Sequence, residues 1–417
     1  MKSLPGIKSA KRRVLIIVEN LPSPFDRRVW QEATTLQESG YAVSIICPTG
    51  KGCEEKFIII DGIHIYRYRL PIEAKGAVGY LIEYSVALFW TFLLAGRVGL
   101  TRGFDVIHAC NPPDLFFLVG GFFKLFFQKK FVFDHHDINP ELYEAKFGRR
   151  DFFYRLLIKL EWWTFQVADL SIATNDSYRR IAIDRGGMPP DKVYVVRSGP
   201  KLDRLRRGPP VAARRQGKRF LVGYVGVMGD QEGLDYLLQA VHYIVRQRQR
   251  TDVIFGLVGG GTSLVGLQKM AAELDIAEYV NFTGRVSDQD MLEVLNTADV
   301  CVNPDIANEM NDKSTMNKIM EYMALGKPIV QFDLIEGRVS AGEASLYAKR
   351  NDPIDFACKI LMLLDDPARC KVMGEYGRQK IETELEWKFE SPKLLKAYAS
   401  LFSPAEESVM QDSPEKT

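Results

Sequence analysis

Cysteine and histidine are scarce in this chain of 417 residues, with six of the first and five of the second. Cys47, Cys53, Cys110, Cys301, Cys358 and Cys370 are scattered and form no C-x-x-C pair, so neither a disulfide framework nor a structural zinc site is expected. No cleavable signal pattern opens the N-terminus. The longest uncharged apolar run, between Glu83 and Arg97, is thirteen residues, whereas a bilayer span needs roughly 20. These absences lead to the expectation of a chain in a reducing, cytoplasmic compartment without a transmembrane helix. Net charge is only +2, which by itself points to no polyanionic partner. A hydrophobic content of 46% and a charged content of 26% exclude a fibrous or wholly disordered protein.

The near-neutral balance conceals an asymmetry. Residues 1–219 carry 35 Lys and Arg against 22 Asp and Glu, and residues 220–417 carry 20 against 31. Residues 201–219 (KLDRLRRGPPVAARRQGKR) hold eight cations, one acid and a Pro-Pro pair, and read as a basic linker between domains. A solvated linker explains the run more simply than a nucleic-acid or lipid contact, and no aromatic interleaving points to nucleic acid.

On either side of this linker, short apolar runs alternate with helical periodicity. Residues 14–18, 42–47, 105–109, 131–134 and 169–173 read as strands before it, and 220–225, 253–258, 279–282, 299–302 and 328–332 after it. Buried strands alternating with helices imply a parallel, doubly wound α/β sheet. The expected architecture is two tandem Rossmann-like domains facing a central cleft. Residues 1–200 form the first, 220–372 the second, 373–401 a helical segment packing back on the first, and 402–417 a polar, disordered tail. Ligands in such sheets bind at the carboxyl ends of strands, so the chemistry is sought in those loops.

In the second domain Gly226, Gly229 and Gly233 lead from a strand into a helix, and Gly259, Gly260 and Gly261 follow the next strand. Glycines there let backbone N–H groups approach a phosphate; a tight βα turn explains them equally well. A third strand-end loop carries Arg285. In the segment NDKSTMNKIMEYMALGKPIV (311–330) Ser314 or Thr315 is placed to cap a helix with Lys318 in its first turn and Glu321 one turn on. Free helix N–H groups plus a lysine make a diphosphate site, and the carboxylate one turn deeper accepts from sugar hydroxyls.

In the first domain FVFDHHD puts His135, His136 and Asp137 at a strand end. Adjacent side chains point apart, which argues against a metal site. Asp288 and Asp290 in SDQD sit where acids cap and start a helix, so no obligatory metal is expected. Arg27 and Arg28 follow the first strand's loop, either binding an acceptor phosphate or forming a surface salt-bridge pair, and Asn111 closes another strand-end loop.

The tandem layout, the HHD at a strand end and K-x-x-E-Y-M-A-L-G-K-P-I-V resemble the retaining GT-B glycosyltransferases of family four, in particular those of bacterial surface-polysaccharide synthesis. The likeness spans roughly residues 12–400. It implies a nucleoside-diphosphate-sugar as donor substrate, no obligatory cofactor and a glycan or lipid-linked acceptor. It also implies catalytic roles for His136, Asp137 and Glu321, donor contacts from Gly226, Gly229, Gly259, Gly260, Arg285, Lys313, Ser314, Lys318 and Glu321, and acceptor contacts from Arg27, Arg28, Asn111 and His135. The family's first signature Glu falls on Lys313 here, and the Arg and Lys common in its first Gly-rich loop fall on Val227 and Glu232. Lys318 and Lys313 are the cations left to neutralise the diphosphate. A nucleotide-sugar epimerase and a non-catalytic sugar-nucleotide or lipid-glycan binder are the rival readings.

Residues 84–96, LFFLVGGFFKLFF at 115–127 with Lys124, Lys129 and Lys130 close by, and Phe152, Phe153, Trp162 and Trp163 all lie in the basic half. Aromatics beside cations suit an anionic bilayer surface, so peripheral contact with the inner face of the plasma membrane is expected.

Overall fold

In the computed structural model residues 12–70 and 76–402 are described; the tail expected over 402–417 lies outside them from residue 403 onward. The first sheet comprises β1 (Arg13–Ile17), β2 (Ala42–Pro48), β3 (Phe57–Ile60), β4 (Ile63–Tyr68), β5 (Val106–Cys110), β6 (Lys130–His135), β7 (Leu170–Ala173) and β8 (Val193–Val195). Its spatial order is β3-β4-β2-β1-β5-β6-β7-β8, parallel except for β3 against β4. The second comprises β9 (Phe220–Val225), β10 (Val253–Val258), β11 (Val280–Gly284), β12 (Val300–Asn303), β13 (Ile329–Phe332) and β14 (Ser345–Ala348), in the parallel order β11-β10-β9-β12-β13-β14. Both are doubly wound, and the strands' continuous apolar character follows from burial on both faces.

The β3–β4 hairpin escaped the reading of periodicity although its signal is local. Asp61 (φ 50°) and Gly62 (φ 78°) form the two-residue turn, the left-handed pair an Asp-Gly hairpin requires. Helix Trp387–Ser400 returns to the first domain: Trp387, Leu394, Ala397 and Tyr398 are buried in the core of β1, β2 and β5, and Trp387 Nε1 donates to Thr35 Oγ1 at 2.9 Å.

One expectation is corrected. Helix Gly76–Thr101 runs 26 residues, and its stretch Ile82–Thr101 is long and apolar enough to cross a membrane by length and composition. Counting only uncharged runs missed it, because Glu83 and Arg97 lie near the ends of that stretch. The helix is nevertheless docked on the sheet. Ala87, Thr91, Ala95 and Val98 are buried at a spacing that makes one stripe, while only 22% of the apolar window is covered.

Glu19, just beyond β1, is buried and hydrogen-bonds Glu83 on this helix. Burial first, then the charge of Glu83, pushes its carboxyl from 4.5 up to about 8. A carboxyl raised on folding favours the folded state in its protonated form. That contribution is complete below the unfolded value and is lost as pH rises through about 8. Glu19→Gln is therefore expected to match the wild type near pH 4 and to exceed it in thermal stability at pH 8–9, as read by melting temperature across that range.

Candidate active site

Alternation along β6 decides the fate of the FVFDHHD residues. Successive side chains point to opposite faces, so Asp134 and His136 share one side and His135 takes the other. His135 is fully buried, packed against Phe133, Phe165 and Tyr178 with ring centroids 5.0–5.3 Å away, and its Nε2 lies 3.5 Å from Glu161. It therefore does not line an acceptor cleft, because the strand runs through it. His136 retains some exposure, and its Nε2 contacts Asp134 Oδ2.

Asn111 and Arg28 are likewise turned inward. Asn111 Oδ1 accepts from the backbone N–H groups of His136 (2.7 Å) and Asp137 (3.1 Å), and its Nδ2 donates to Asp137 O at 2.6 Å. It clamps the His136–Asp137 loop rather than an acceptor. The Asp137 carboxyl is raised by burial, against the pull of His136 and His135. Arg28 is buried, bonded to Asp134 (2.8 Å), Glu32 (3.0 Å) and Val196 O (2.8 Å). Its guanidinium is spent on this network, so of the two sequence alternatives it is a salt bridge, and a buried one.

In the second domain the Gly-rich loops are zipped to each other. Gly226 N donates to Val258 O, Met228 N to Gly260 O, and Gly259 N to Gly284 O, at 3.0–3.1 Å. Gly259 has φ 131°, and a Cβ there would lie 1.9 Å from Gly226 O. Close loop packing is thus what requires glycine at 259, whereas at 226 a Cβ would lie 2.5 Å from the Tyr224 hydroxyl; the N–H groups of both are already satisfied. Gly229 and Gly260 close the same two loops.

The 311–330 segment contains two helices, Glu309–Lys313 and Asn317–Ala324. Ser314 ends the first, its Oγ donating to Met310 O at 2.8 Å, and the second starts after Met316 without a side-chain cap. The expected Ser314 cap is therefore corrected. Lys313 pairs with Glu309 (2.7 Å) and, across the domain boundary, Glu141 (3.3 Å). Lys318 is in the first turn as expected, but its Nζ is held by Glu232 (2.6 Å) and Asp305 (2.8 Å) above the Tyr224 ring. Burial opposes its charge, but Asp305, Tyr224 and Glu232 keep the ammonium well above the usual lysine range. Neither lysine presents a free cation: carboxylates in contact, invisible as neighbours in the sequence, compensate both.

Between the domains lies a cavity of about 500 Å³, bounded by Arg27, Arg28 and Ser198 on one side and Arg204, Asp288 and Glu321 on the other. Arg27 donates to Glu321 at 2.8 Å across this cleft, and Arg204 reaches the same carboxylate at 3.2 Å and Asp288 at 2.8 Å. Arg204 belongs to the basic linker and was not singled out from sequence. The linker is not simply solvated. Arg207 pairs with Glu375, Arg214 with Asp290 and Glu293, and Arg215 with Asp299, so the cationic arm is sewn onto the acidic second domain, and part of the charge asymmetry is internal complementarity. Arg285 makes no ion pair among the described residues; its guanidinium carbon sits 6.0 Å from the ring centre of Phe25, which borders the cavity.

Residues 26–204 match the family "Glycosyltransferase Family 4", and residues 219–366 match "Glycosyl transferases group 1". The chain belongs to the GT-B glycosyltransferases. The gap between the two matches coincides with the basic arm. Among curated relatives it is 28% identical over 250 residues to a D-inositol 3-phosphate glycosyltransferase of Thermomonospora curvata, covering 55% of this chain and 57% of the relative. It is 26% identical over 167 residues to a GDP-mannose-dependent monoacylated alpha-(1-6)-phosphatidylinositol monomannoside mannosyltransferase of Corynebacterium glutamicum, covering 39% and 43%. The chain thus spans about half the length of the curated relatives it matches. Among solved structures, sucrose-phosphate synthase from Thermosynechococcus elongatus superposes with a TM-score of 0.79 at 18% identity, over 94% of this chain and 99% of the other. Anabaena HepE in complex with UDP-glucose gives 0.69 at 15%, over 93% and 99%. At these identities the structures establish the fold.

Proposed function

We propose that this chain transfers a sugar, with retention, from a nucleoside-diphosphate-sugar to a lipid-linked glycan acceptor in surface-polysaccharide synthesis, working in the cytoplasm on the inner face of the plasma membrane. The observation that carries the reading is the interdomain cavity in which Glu321, Arg27 and Arg204 meet. Its two walls come from the strand ends of two sheets, where α/β domains bind ligands. Glu321 accepts hydrogen bonds from donor sugar hydroxyls once its arginines turn to the diphosphate, and Arg285, without an ion pair among the described residues, supplies a further positive charge. The bond from the anomeric carbon to the diphosphate oxygen breaks while the acceptor oxygen bonds on the same face, and the acceptor hydroxyl proton passes to the leaving diphosphate. No enzyme nucleophile is needed; positioning and charge stabilisation do the work. His136 lies beside the Arg28 wall of the cavity, where an imidazole hydrogen-bonds the reacting sugar.

The apolar face of the first domain supports the membrane part of the reading. Ring contacts Phe92–Phe122 and Phe117–Trp163 join helices Gly76–Thr101, Phe117–Phe127 and Phe152–Val167, and Trp90, Leu93, Leu125, Phe126 and Trp162 are exposed on them. Lys124 and Lys130 share the single carboxylate of Asp169, which leaves the rim net positive.

Glu232 favours a second reading, a non-catalytic sugar-nucleotide binder, because it and Asp305 neutralise the lysine nearest the phosphate position. Binding and hydrolysis measured against UDP-, GDP- and ADP-sugars separate the two. The transferase is expected to bind one donor and hydrolyse it slowly. His136→Ala should lower the rate about 10²–10³-fold, as loss of a positioned hydrogen-bonding group does, and Arg285→Ala should weaken binding. Binding without turnover in any variant selects the second reading, and no binding by folded protein excludes both.

A further inference from the structure

The first domain buries a polar chain that no role assigned above requires. Asp134 is fully buried, yet five contacts converge on it, the weakest from Cys110 Sγ at 3.9 Å. Arg28 Nη2 donates to Oδ1 at 2.8 Å and Arg28 Nε to Oδ2 at 3.2 Å; His108 Nε2 lies 3.3 Å from Oδ2, and His136 Nε2 closes on the same oxygen. Burial alone would raise this carboxyl, but Arg28 and then His136 hold it well below the usual range. On its far side, His108 Nδ1 meets the Tyr398 hydroxyl at 2.7 Å, and Tyr398 is buried on the helix that returns from the second domain. Burial depresses His108, so its imidazole is neutral with one proton. Nε2 faces Asp134 and, at 3.5 Å, Glu32. That nitrogen carries the proton, and Nδ1 accepts from Tyr398.

The chain therefore has one direction: Tyr398 O–H to His108, His108 N–H to Asp134, and His136 N–H to Asp134. The Arg28 Nε–H is shared between Asp134 Oδ2 and, at 3.0 Å, His136 Nε2. The carboxylate oxygen is both the nearer neighbour of Nε2 and the stronger acceptor, so it takes both N–H groups, which keeps the proton of His136 on Nε2 and leaves Nδ1 as an acceptor. The His136 backbone is fixed independently by Asn111. A carboxylate that orients an imidazole and sets its tautomer is a recurring support of reactive histidines.

We propose that Asp134 is a positioning residue for His136, and that Tyr398, acting through His108, ties this arrangement to the returning C-terminal helix. Its catalytic consequence rests on the placement of His136 at the reacting sugar; its structural content does not.

Nitrogen-15 NMR of the five imidazoles in the full chain, with His136 assigned by loss of its signals in His136→Gln, reads the tautomer without any substrate. The expected result is a single Nε2–H form of neutral His136 in the wild type and a mixture in Asp134→Asn. Tyr398→Phe, which removes one hydroxyl and keeps the ring, should shift the His108 signals and, to a smaller extent, those of His136. With a donor that turns over, Asp134→Asn should lower kcat about 10- to 100-fold with KM within about twofold. A wild-type His136 protonated at Nδ1, or one whose tautomer is the same in folded Asp134→Asn, overturns the proposal. If Asp134→Asn does not fold, Tyr398→Phe decides: unchanged His108 and His136 signals overturn it, and shifted ones uphold it. Tautomer changes in a protein that binds no donor would uphold the positioning while removing the transferase reading.

Discussion

Lys318→Met is expected to destabilise the second domain by about 3–5 kcal/mol, the cost of removing one partner from a buried ionic cluster. The methionine keeps the length of the apolar stem but deletes the charge that holds Glu232 and Asp305 together. Lys318 and Glu232 retain only 11% and 17% of side-chain exposure and Asp305 1%, so water cannot take over. Asp305, already pushed up to about 7 by burial, takes up a proton and recovers part of the loss, which makes the deficit smaller at pH 6 than at pH 8. Adding Glu232→Gln to Lys318→Met removes the second charge and should restore most of the stability. All five tryptophans lie at positions 30, 90, 162, 163 and 387, outside the second sheet, so hydrogen exchange in helix Asn317–Ala324 is the appropriate measurement. A loss below about 1 kcal/mol, together with abolished binding of UDP-sugars, would instead show that Lys318 is held for the diphosphate rather than for the fold.

The second large effect concerns the apolar face. Replacing Leu125, Phe126 and Trp162 together by serine should lower partitioning onto vesicles containing anionic lipid about 50- to 2000-fold. Full burial of one such side chain is worth about 1.5–3 kcal/mol, and insertion of an interfacial helix to half that extent, summed over three residues, gives this range. All three are exposed, so folding should be unchanged, surface substitutions usually staying within about ±0.5 kcal/mol. Raising the salt concentration should weaken wild-type binding, since Lys124, Lys129 and Lys130 contribute through a screened field. Cosedimentation with phosphatidylglycerol vesicles measures both effects. Equal partitioning of variant and wild type would remove this face as the membrane contact.

Much of the architecture was legible in one dimension because its signals are local. Strand–helix alternation, the Pro-Pro break and the apolar returning helix specify two doubly wound sheets, each buried on both faces. The hairpin at 57–68 is equally legible in Asp61-Gly62, but its strands stand outside the βαβ alternation. Helix Gly76–Thr101 was misjudged because a charge near a helix end interrupts a run of letters without interrupting an apolar surface.

The site is a different case. The sequence by itself determined where the loops fall, that Glu321 and Lys318 share a helix start, and that the two halves carry opposite charge. Tertiary structure decided which cations are free. Lys318 meets Glu232 and Asp305, 86 and 13 positions away, Lys313 meets Glu141 in the other domain, and Arg204 leaves its linker to reach Glu321. It also turned His135 into the core and Asp134 towards His136, a parity that depends on how far β6 runs. Local propensity acts over a few residues and can be read from neighbours, whereas the charge state of a cleft depends on which groups the two domains bring within about 4 Å of one another, where the Coulomb interaction becomes large.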